Sequence, residues 1–428
     1  MLSLQQCENK KFLVFGIGLT GNSSAKQLSK NKAIVEFWDD DLRLRQKYRK
    51  KYNLCNNYFK KDFDFILLSP GVNIYNHQHK DYFIQNKHKI ITDLDIFINT
   101  IESSNVILIT GTNGKSTASK LVFDLFKTAN KRAYLGGNFG KPVLDLPLTG
   151  KDIFYVIEIS SYQLDYASTI YCRSAVVLNI TPDHLERHIS FKNYALIKFK
   201  VFKGLSQNSF GYYFDRFNFV NFDKNLKKNI FFLNEKKVSN SFLRHNENLK
   251  GNFNKRLIFY LLKICENFDI KKKTLIKVLK KFKGLEHRQE IVKSNKQVLI
   301  INDSKATNFN SCEAALASFY NIRWIVGGLP KKNDKILVNK FKSKIIKAYI
   351  IGKHYNFFKK FLKNKIAFKI SKSLKQAIKD IHRDFHNTKK RFQTILLSPA
   401  AASFDQYKNF VERGNKFKLL IEKYKWNN

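Results

Sequence analysis

The chain has 428 residues, 43% of them apolar, with 78 Lys and Arg against 34 Asp and Glu, a formal net charge of +44 at pH 7. That length is too great for one ordinary core and predicts two to four domains at about 100–200 residues each, and no apolar run approaches the roughly 20 residues of a membrane-spanning helix. The charge excludes less than its size suggests: Lys greatly outnumbers Arg and is spread along the whole chain beside abundant Asn, Ile and Phe, as A/T-rich codon usage produces, and no nucleic-acid recognition motif accompanies it. In chain order, Lys10-Lys11 runs straight into the strand-sized Phe12–Phe15, which reads as the start of a folded domain and not as a secretory signal. Then come Gly16-Ile17-Gly18-Leu19-Thr20-Gly21, strand Ala33–Trp38 with Asp39 at its end, and strand Phe63–Leu68 followed by Ser69-Pro70-Gly71. A second glycine loop, Gly111-Thr112-Asn113-Gly114-Lys115-Ser116-Thr117, follows strand Val106–Thr110. Further strands are expected at Ile153–Ile159, Ala175–Ile180, Val298–Asn302, Trp324–Val326, Ala348–Ile351 and Thr394–Leu397, with no readable motif across Gly204–Lys250 and a basic segment at Lys277–Gly284. Short apolar runs alternating with amphipathic stretches mark repeated strand–helix–strand units. The prediction is an α/β chain with mainly parallel sheets in three blocks, 1–100, 101–284 and 285–428. Cys7, Cys55, Cys172, Cys265 and Cys312 are odd in number and show no metal-type spacing, which fits a reducing cytoplasm.

The second loop carries the most chemistry. Its glycines let backbone N–H groups turn inward on phosphates, and the following helix start adds positive dipole. Lys115 is placed to neutralise β/γ-phosphate charge, and Ser116 or Thr117 to ligate Mg2+. The spacing is G-x-x-G-K-S, shorter than the common G-x-x-x-x-G-K-[ST]. Glu158 ends the apolar run Ile153–Ile157, the position at which nucleotide-binding sheets hold a metal-ligating carboxylate. An ordinary glycine turn capping a helix is the alternative, and the Lys-Ser-Thr offset after a strand disfavours it.

Gly111–Thr117 resembles the loop of the Mur ligases and their relatives. Other blocks are similar in the same order: Gly136-Gly137-Asn138, Glu158 to Gln163, Asn179 to His188, Tyr194 to Lys198, Leu285-Glu286-His287-Arg288, and Asn302 to Asn308. The tail Leu397–Phe410, closing in Arg413-Gly414, resembles the members that add D-glutamate in particular, and the Asp-Asn-Pro-Arg signature of the diamino-acid-adding members is absent.

The resemblance implies three α/β domains: a Rossmann-like domain for a UDP-linked substrate, a central P-loop-type ATPase and a Rossmann-like C-terminal domain for an amino acid. It implies cytoplasmic synthesis of a peptidoglycan precursor from UDP-N-acetylmuramoyl-L-alanine, D-glutamate and ATP, by a monomer with no nucleic-acid or membrane partner. Gly111, Thr112, Asn113, Gly114, Lys115, Ser116, Thr117, Asn254, His287, Arg288, Asp303 and Lys305 would contact ATP. Ser116 and Glu158 would hold one Mg2+, and His184 with a carbamylated Lys198 a second. Lys115, Asn138, His184 and Lys198 would act in catalysis. Gly18, Leu19, Thr20, Asp39, Ser69, Pro70 and Gly71, joined by Asn138 and His184, would hold the UDP-linked substrate. Thr307, Lys331, Ser403, Phe404 and Phe410 would grip D-glutamate.

Two other readings compete. Gly16–Gly21 with Asp39 is also the dinucleotide fingerprint of an NAD-dependent dehydrogenase, which leaves Gly111–Thr117, His184 and Lys305 unexplained. The charge and the Phe and Tyr content suggest a nucleic-acid-binding NTPase, although the aromatics lie inside strand and helix patterns suited to core packing. The chain also departs from the family in places. In the adenine-holding block Gly251-Asn252-Phe253-Asn254, Phe253 replaces a His and Leu257 replaces an Asn. Asp41 stands where relatives carry an Arg, with Arg43 as a substitute, and the stretch His184–Tyr194 is one residue short.

Overall fold

The structure, a computed structural model, describes residues 2–101, 105–222, 224–234, 246, 252–331, 337–387 and 392–427. The described chain forms three sheets and divides into two compact units, Met1–Phe282 and Lys283–Asn428. All ten strands expected from apolar runs are present, with ends shifted by no more than three residues.

The first sheet has the spatial order Asn53–Leu54, Ile34–Trp38, Lys11–Phe15, Phe65–Leu68, Ile90–Ile91, with every pair parallel. Chain order reverses about Lys11–Phe15, so the turns after that strand and after Phe65–Leu68 lie side by side at the carboxyl edge. Such a reversal opens a crevice for ligands. The second sheet runs Ile230–Phe232, Leu205–Tyr213, Cys172–Val177, Val106–Thr110, Phe154–Glu158, Ala133–Gly137, again all parallel. Two neighbouring interior strands, Val106–Thr110 and Phe154–Glu158, are buried at every position, which explains their unbroken apolar runs. The helix Lys115–Thr128 buries Ala118, Leu121, Val122, Leu125 and Phe126, a stripe at helical spacing, and packs beside Phe154–Glu158.

In the second unit the order is Glu290–Ser294, Val298–Asn302, Gln393–Leu397, Ile322–Gly327, Ile345–Ile351, Phe368–Lys372, and only the first pair is antiparallel. Alternate residues point to opposite faces. Trp324, Val326, Ile350 and Leu396 enter one core, while Ile325, Tyr349, Ile351, Ile395 and Leu397 enter the other. The five cysteines are free and buried. Burial pushes the thiols of Cys7, Cys55 and Cys265 up to about 12, and raises Cys172 and Cys312 further. Among the described residues no helix is long and apolar enough to cross a membrane.

Candidate active site

The loop after Val106–Thr110 is held from behind. Asn179, just past the neighbouring strand, accepts from Asn113 N at 2.9 Å and donates Nδ2 to Asn113 O at 2.9 Å, while its own carbonyl takes Thr112 N at 2.8 Å. Thr112 Oγ1 meets Thr181 N at 3.0 Å and Tyr194 OH at 3.0 Å. Gly114 ends the loop at φ +78°, a left-handed turn that admits glycine freely, and caps the helix Lys115–Thr128. Lys115 Nζ lies back across the loop, donating to Gly111 O and Thr112 O at 2.9 Å each. A lysine lying across a glycine loop at a helix N-terminus is chemistry suited to phosphate oxygens.

Glu158 stands beside this loop, 1% exposed, at the end of its strand. Its Oε2 accepts from Ser116 Oγ at 2.5 Å and its Oε1 from Asn138 Nδ2 at 2.6 Å. Asn138 is further fixed by its backbone N–H on Glu158 O. A hydroxyl and a carboxylate are hard oxygen donors that suit Mg2+, with the remaining positions left to phosphate and water. Among the described residues no group of three or more His, Cys, Asp and Glu forms a ready metal cage.

Lys198 comes from the helix Phe191–Phe199 and is 2% exposed. Its Nζ donates to Gly111 O at 2.9 Å and lies 4.8 Å from the Tyr194 ring. Burial, followed by the nearby Lys115 charge, brings its pKa well below the ordinary lysine value. His184 shares contact with the same tyrosine, ring to ring at 6.5 Å. Its Nδ1 is 2.7 Å from Tyr162 OH and its Nε2 3.4 Å from Asp183 Oδ2, so both ring nitrogens have protein partners. His188, one turn on, is buried against Ser161 Oγ at 3.0 Å.

The first-sheet turns come together. Ser69 Oγ donates to Gly16 O at 2.6 Å, and Gly18 caps the helix Leu19–Lys30 with Leu19 exposed. Asp39 is occupied by backbone donors, taking Ile17 N at 2.7 Å and Asp41 N at 2.8 Å, so it braces the glycine turn itself. Arg43 does not point free as a replacement for the missing Arg, because Asp41 holds it in an exposed ion pair at 2.8 Å. Pro70 and Gly71 lie in the loop beside the turn, and Val72 O there receives Arg187 Nη1 at 2.7 Å and Tyr166 OH at 2.9 Å. Arg187 thereby ties the His184 segment to the first sheet. Sequence reasoning missed Asn179, Tyr162, Tyr194 and Arg187 as site supports.

In the second unit, His287, Asp303, Lys305 and Phe410 gather at one edge of the sheet. Asp303 is buried, accepts from Ser398 Oγ at 2.7 Å, and is lifted by burial to about 7. His287 Nδ1 meets Asn302 Nδ2 at 2.9 Å, and the Lys305 ammonium sits 4.0 Å over the Phe410 ring. Arg413 spans Ser304 and Ala401 from the last helix. Ser403 is buried and Phe404 is 69% exposed, while Thr307, Arg288 and Lys331 are half-buried. Asn254 is half-buried and Leu257 is 1% exposed in the core, so the altered block keeps one amide and loses the other to packing. Gly251 and the Phe253 side chain lie outside the described residues.

Comparison with known proteins fits this geometry. Residues 109–271 match the Mur ligase middle domain. The UDP-N-acetylmuramoylalanine–D-glutamate ligase of Wolbachia pipientis is 30% identical over all of this chain and 99% of its own length. The chain belongs to the Mur ligase family. The D-glutamate ligases of Rickettsia felis and Rhizobium meliloti are each 32% identical, with 97% of either chain covered. Mur ligases also share the fold at much lower identity. The UDP-N-acetylmuramate–alanine ligase of Thermotoga maritima aligns with a TM-score of 0.56 at 14% identity, covering 97% of this chain and all of that one. The MurF ligase of the same organism, solved with ADP, aligns at 0.55 and 15%, covering 99% and 100%.

Proposed function

We propose that this Mur ligase joins D-glutamate to UDP-N-acetylmuramoyl-L-alanine at the expense of ATP, in the cytoplasm, as a step in peptidoglycan precursor synthesis. The observation that carries the proposal is the clamped loop Gly111–Ser116, with Lys115 across it and Glu158 beside it. The full-length likeness to D-glutamate ligases selects the amino acid. Three domains divide the work: 1–100 for the UDP-linked substrate, 101–284 for ATP and 285–428 for the amino acid.

The helix start at Gly114–Thr117 and Lys115 take the ATP phosphates, with Gly111, Thr112 and Asn113, pinned by Asn179, completing the cradle. The γ-phosphoryl group passes to the L-alanyl carboxylate, breaking the bond to ADP and forming an acyl phosphate. The D-glutamate amine attacks that carbonyl, and collapse of the tetrahedral intermediate expels phosphate and leaves an amide. Phosphate and carboxylate charges converge during the first step, so each charge-assisted contact at about 1.5–3 kcal/mol is worth roughly one to two decades in rate if made only in the transition state. Ser116 and Glu158 would hold Mg2+, which would supply further neutralisation of those oxygens. Lys198 is suited to carbamylation, because CO2 reacts only with a neutral amine and an ordinary lysine is neutral about once in a few thousand molecules at pH 7. Its burial favours the neutral amine, and the carbamate would join His184 on a second Mg2+. Gly18, Leu19, Thr20, Asp39, Ser69, Pro70 and Gly71 hold the UDP end, with Asn138 facing the reacting carboxyl. Asn254, His287, Arg288, Asp303 and Lys305 complete the nucleotide contacts, and Thr307, Lys331, Ser403, Phe404 and Phe410 receive D-glutamate.

Phosphate release from ATP, Mg2+ and UDP-N-acetylmuramoyl-L-alanine, measured across L- and D-amino acids, tests the reading. D-Glutamate alone should support turnover, and Lys115→Ala should lower it about ten- to a hundred-fold by the contact energies above. Failure to form ADP with D-glutamate present would discard it.

A further inference from the structure

The basic segment near the end of the first unit has no part in the chemistry above. Six of the twelve residues Lys271–Phe282 are lysine and none is acidic, whereas Lys and Arg together make 78 of 428 across the chain, so the density here exceeds the general bias. The helix Lys272–Lys281 turns Leu275, Val278 and Leu279 inward and packs against the phosphate-loop helix. Lys273, Lys277, Lys280 and Lys281 are all exposed and fall within an arc of about 100° opposite that buried stripe. Pairs 273/277, 277/281 and 277/280 stand three or four residues apart, so the ammonium groups repel one another along one face. None of the six has an acidic partner among the described residues.

We propose that this lysine face docks the enzyme on an anionic phospholipid surface, by charge alone and without insertion. The chemistry of the face selects that occupant. A protein interface needs an apolar or aromatic centre, and every large apolar residue of the helix is turned inward or partly covered. Nucleic-acid readout favours Arg forks or exposed aromatic stacking platforms; the segment has no Arg, and Phe268 and Phe282 are buried. A fluid array of headgroups demands neither, and it relieves the repulsion along the helix by mass charge neutralisation. The proposal departs from the expectation, stated with the family resemblance, that no membrane partner exists.

The test is co-sedimentation of the full chain with vesicles of phosphatidylcholine containing phosphatidylglycerol, at physiological salt. Wild type is compared with K273Q/K277Q/K280Q/K281Q and with a charge-matched control, K342Q/K359Q/K360Q/K363Q, whose positions are also exposed. The helix variant should lose roughly a hundred-fold or more in partitioning, and the control no more than a few-fold. Neither should bind pure phosphatidylcholine, and ligase turnover without vesicles should be equal in all three, which shows the fold intact. Equal losses in both variants would assign binding to bulk charge and overturn the proposal. So would absence of wild-type binding, or a helix-variant loss seen with a DNA duplex but not with vesicles.

Discussion

His188 is 4% exposed, and burial pulls its pKa down to about 4, with Arg187, His184 and Lys198 adding to the effect and Asp165 opposing it. A folded value below the ordinary 6.5 means that the unfolded chain takes up the proton first. The stability this residue contributes is therefore complete above about pH 6.5 and is lost as pH falls toward about 4, by up to about 3 kcal/mol. Replacing it with Gln keeps a partner for Ser161 without the titration. Denaturation midpoints across pH 4–7 should fall steeply for wild type and more shallowly for His188→Gln. Parallel curves would show that the imidazole is solvated in the native state. Asp303 works in the opposite sense, since its raised value weakens the fold as pH climbs from 3.8 toward about 7. Only the difference between the two proteins isolates His188.

At the scale of elements, the loop Gly111–Gly114 takes its shape from the segment Leu178–Thr181 on the adjacent strand end. Asn179 supplies two side-chain hydrogen bonds to one residue of that loop. At about 1 kcal/mol for each, Asn179→Ala should weaken apparent ATP affinity by up to roughly thirty-fold, with the melting temperature falling by only a few degrees. An unchanged KM for ATP would mean the loop holds its form unaided. This support illustrates what the sequence could not convey. Gly111, Lys115, Ser116 and Glu158 announce themselves through residue type and offset from a strand. The partnership of Asn113 with Asn179, 66 residues apart, or of Arg187 with Val72, 115 apart, depends on which strands become neighbours. The strand Leu205–Tyr213 went unread for another reason: Ser206, Gln207 and Asn208 interrupt its apolar pattern, and its first half is irregularly paired. Two-residue strands such as Asn53–Leu54 and Ile90–Ile91 are too short to carry any periodicity.

For the molecule as a whole, three sheets in two compact units do not require one all-or-none transition. The buried thiols turn that architecture into a set of internal clocks. Cys7 and Cys55 belong to the first sheet's surroundings, Cys172 and Cys265 to the second's, and Cys312 to the second unit. An alkylating reagent attacks only thiolate that solvent can reach, so the native enzyme should resist iodoacetamide at every one of them. Under mild denaturant, peptide mass spectrometry should find Cys312 modified at a rate distinct from the other four. Uniform modification would mean the two units open together. Each sulfur thus dates the opening of its own neighbourhood, a chronology written into the chain without any added probe.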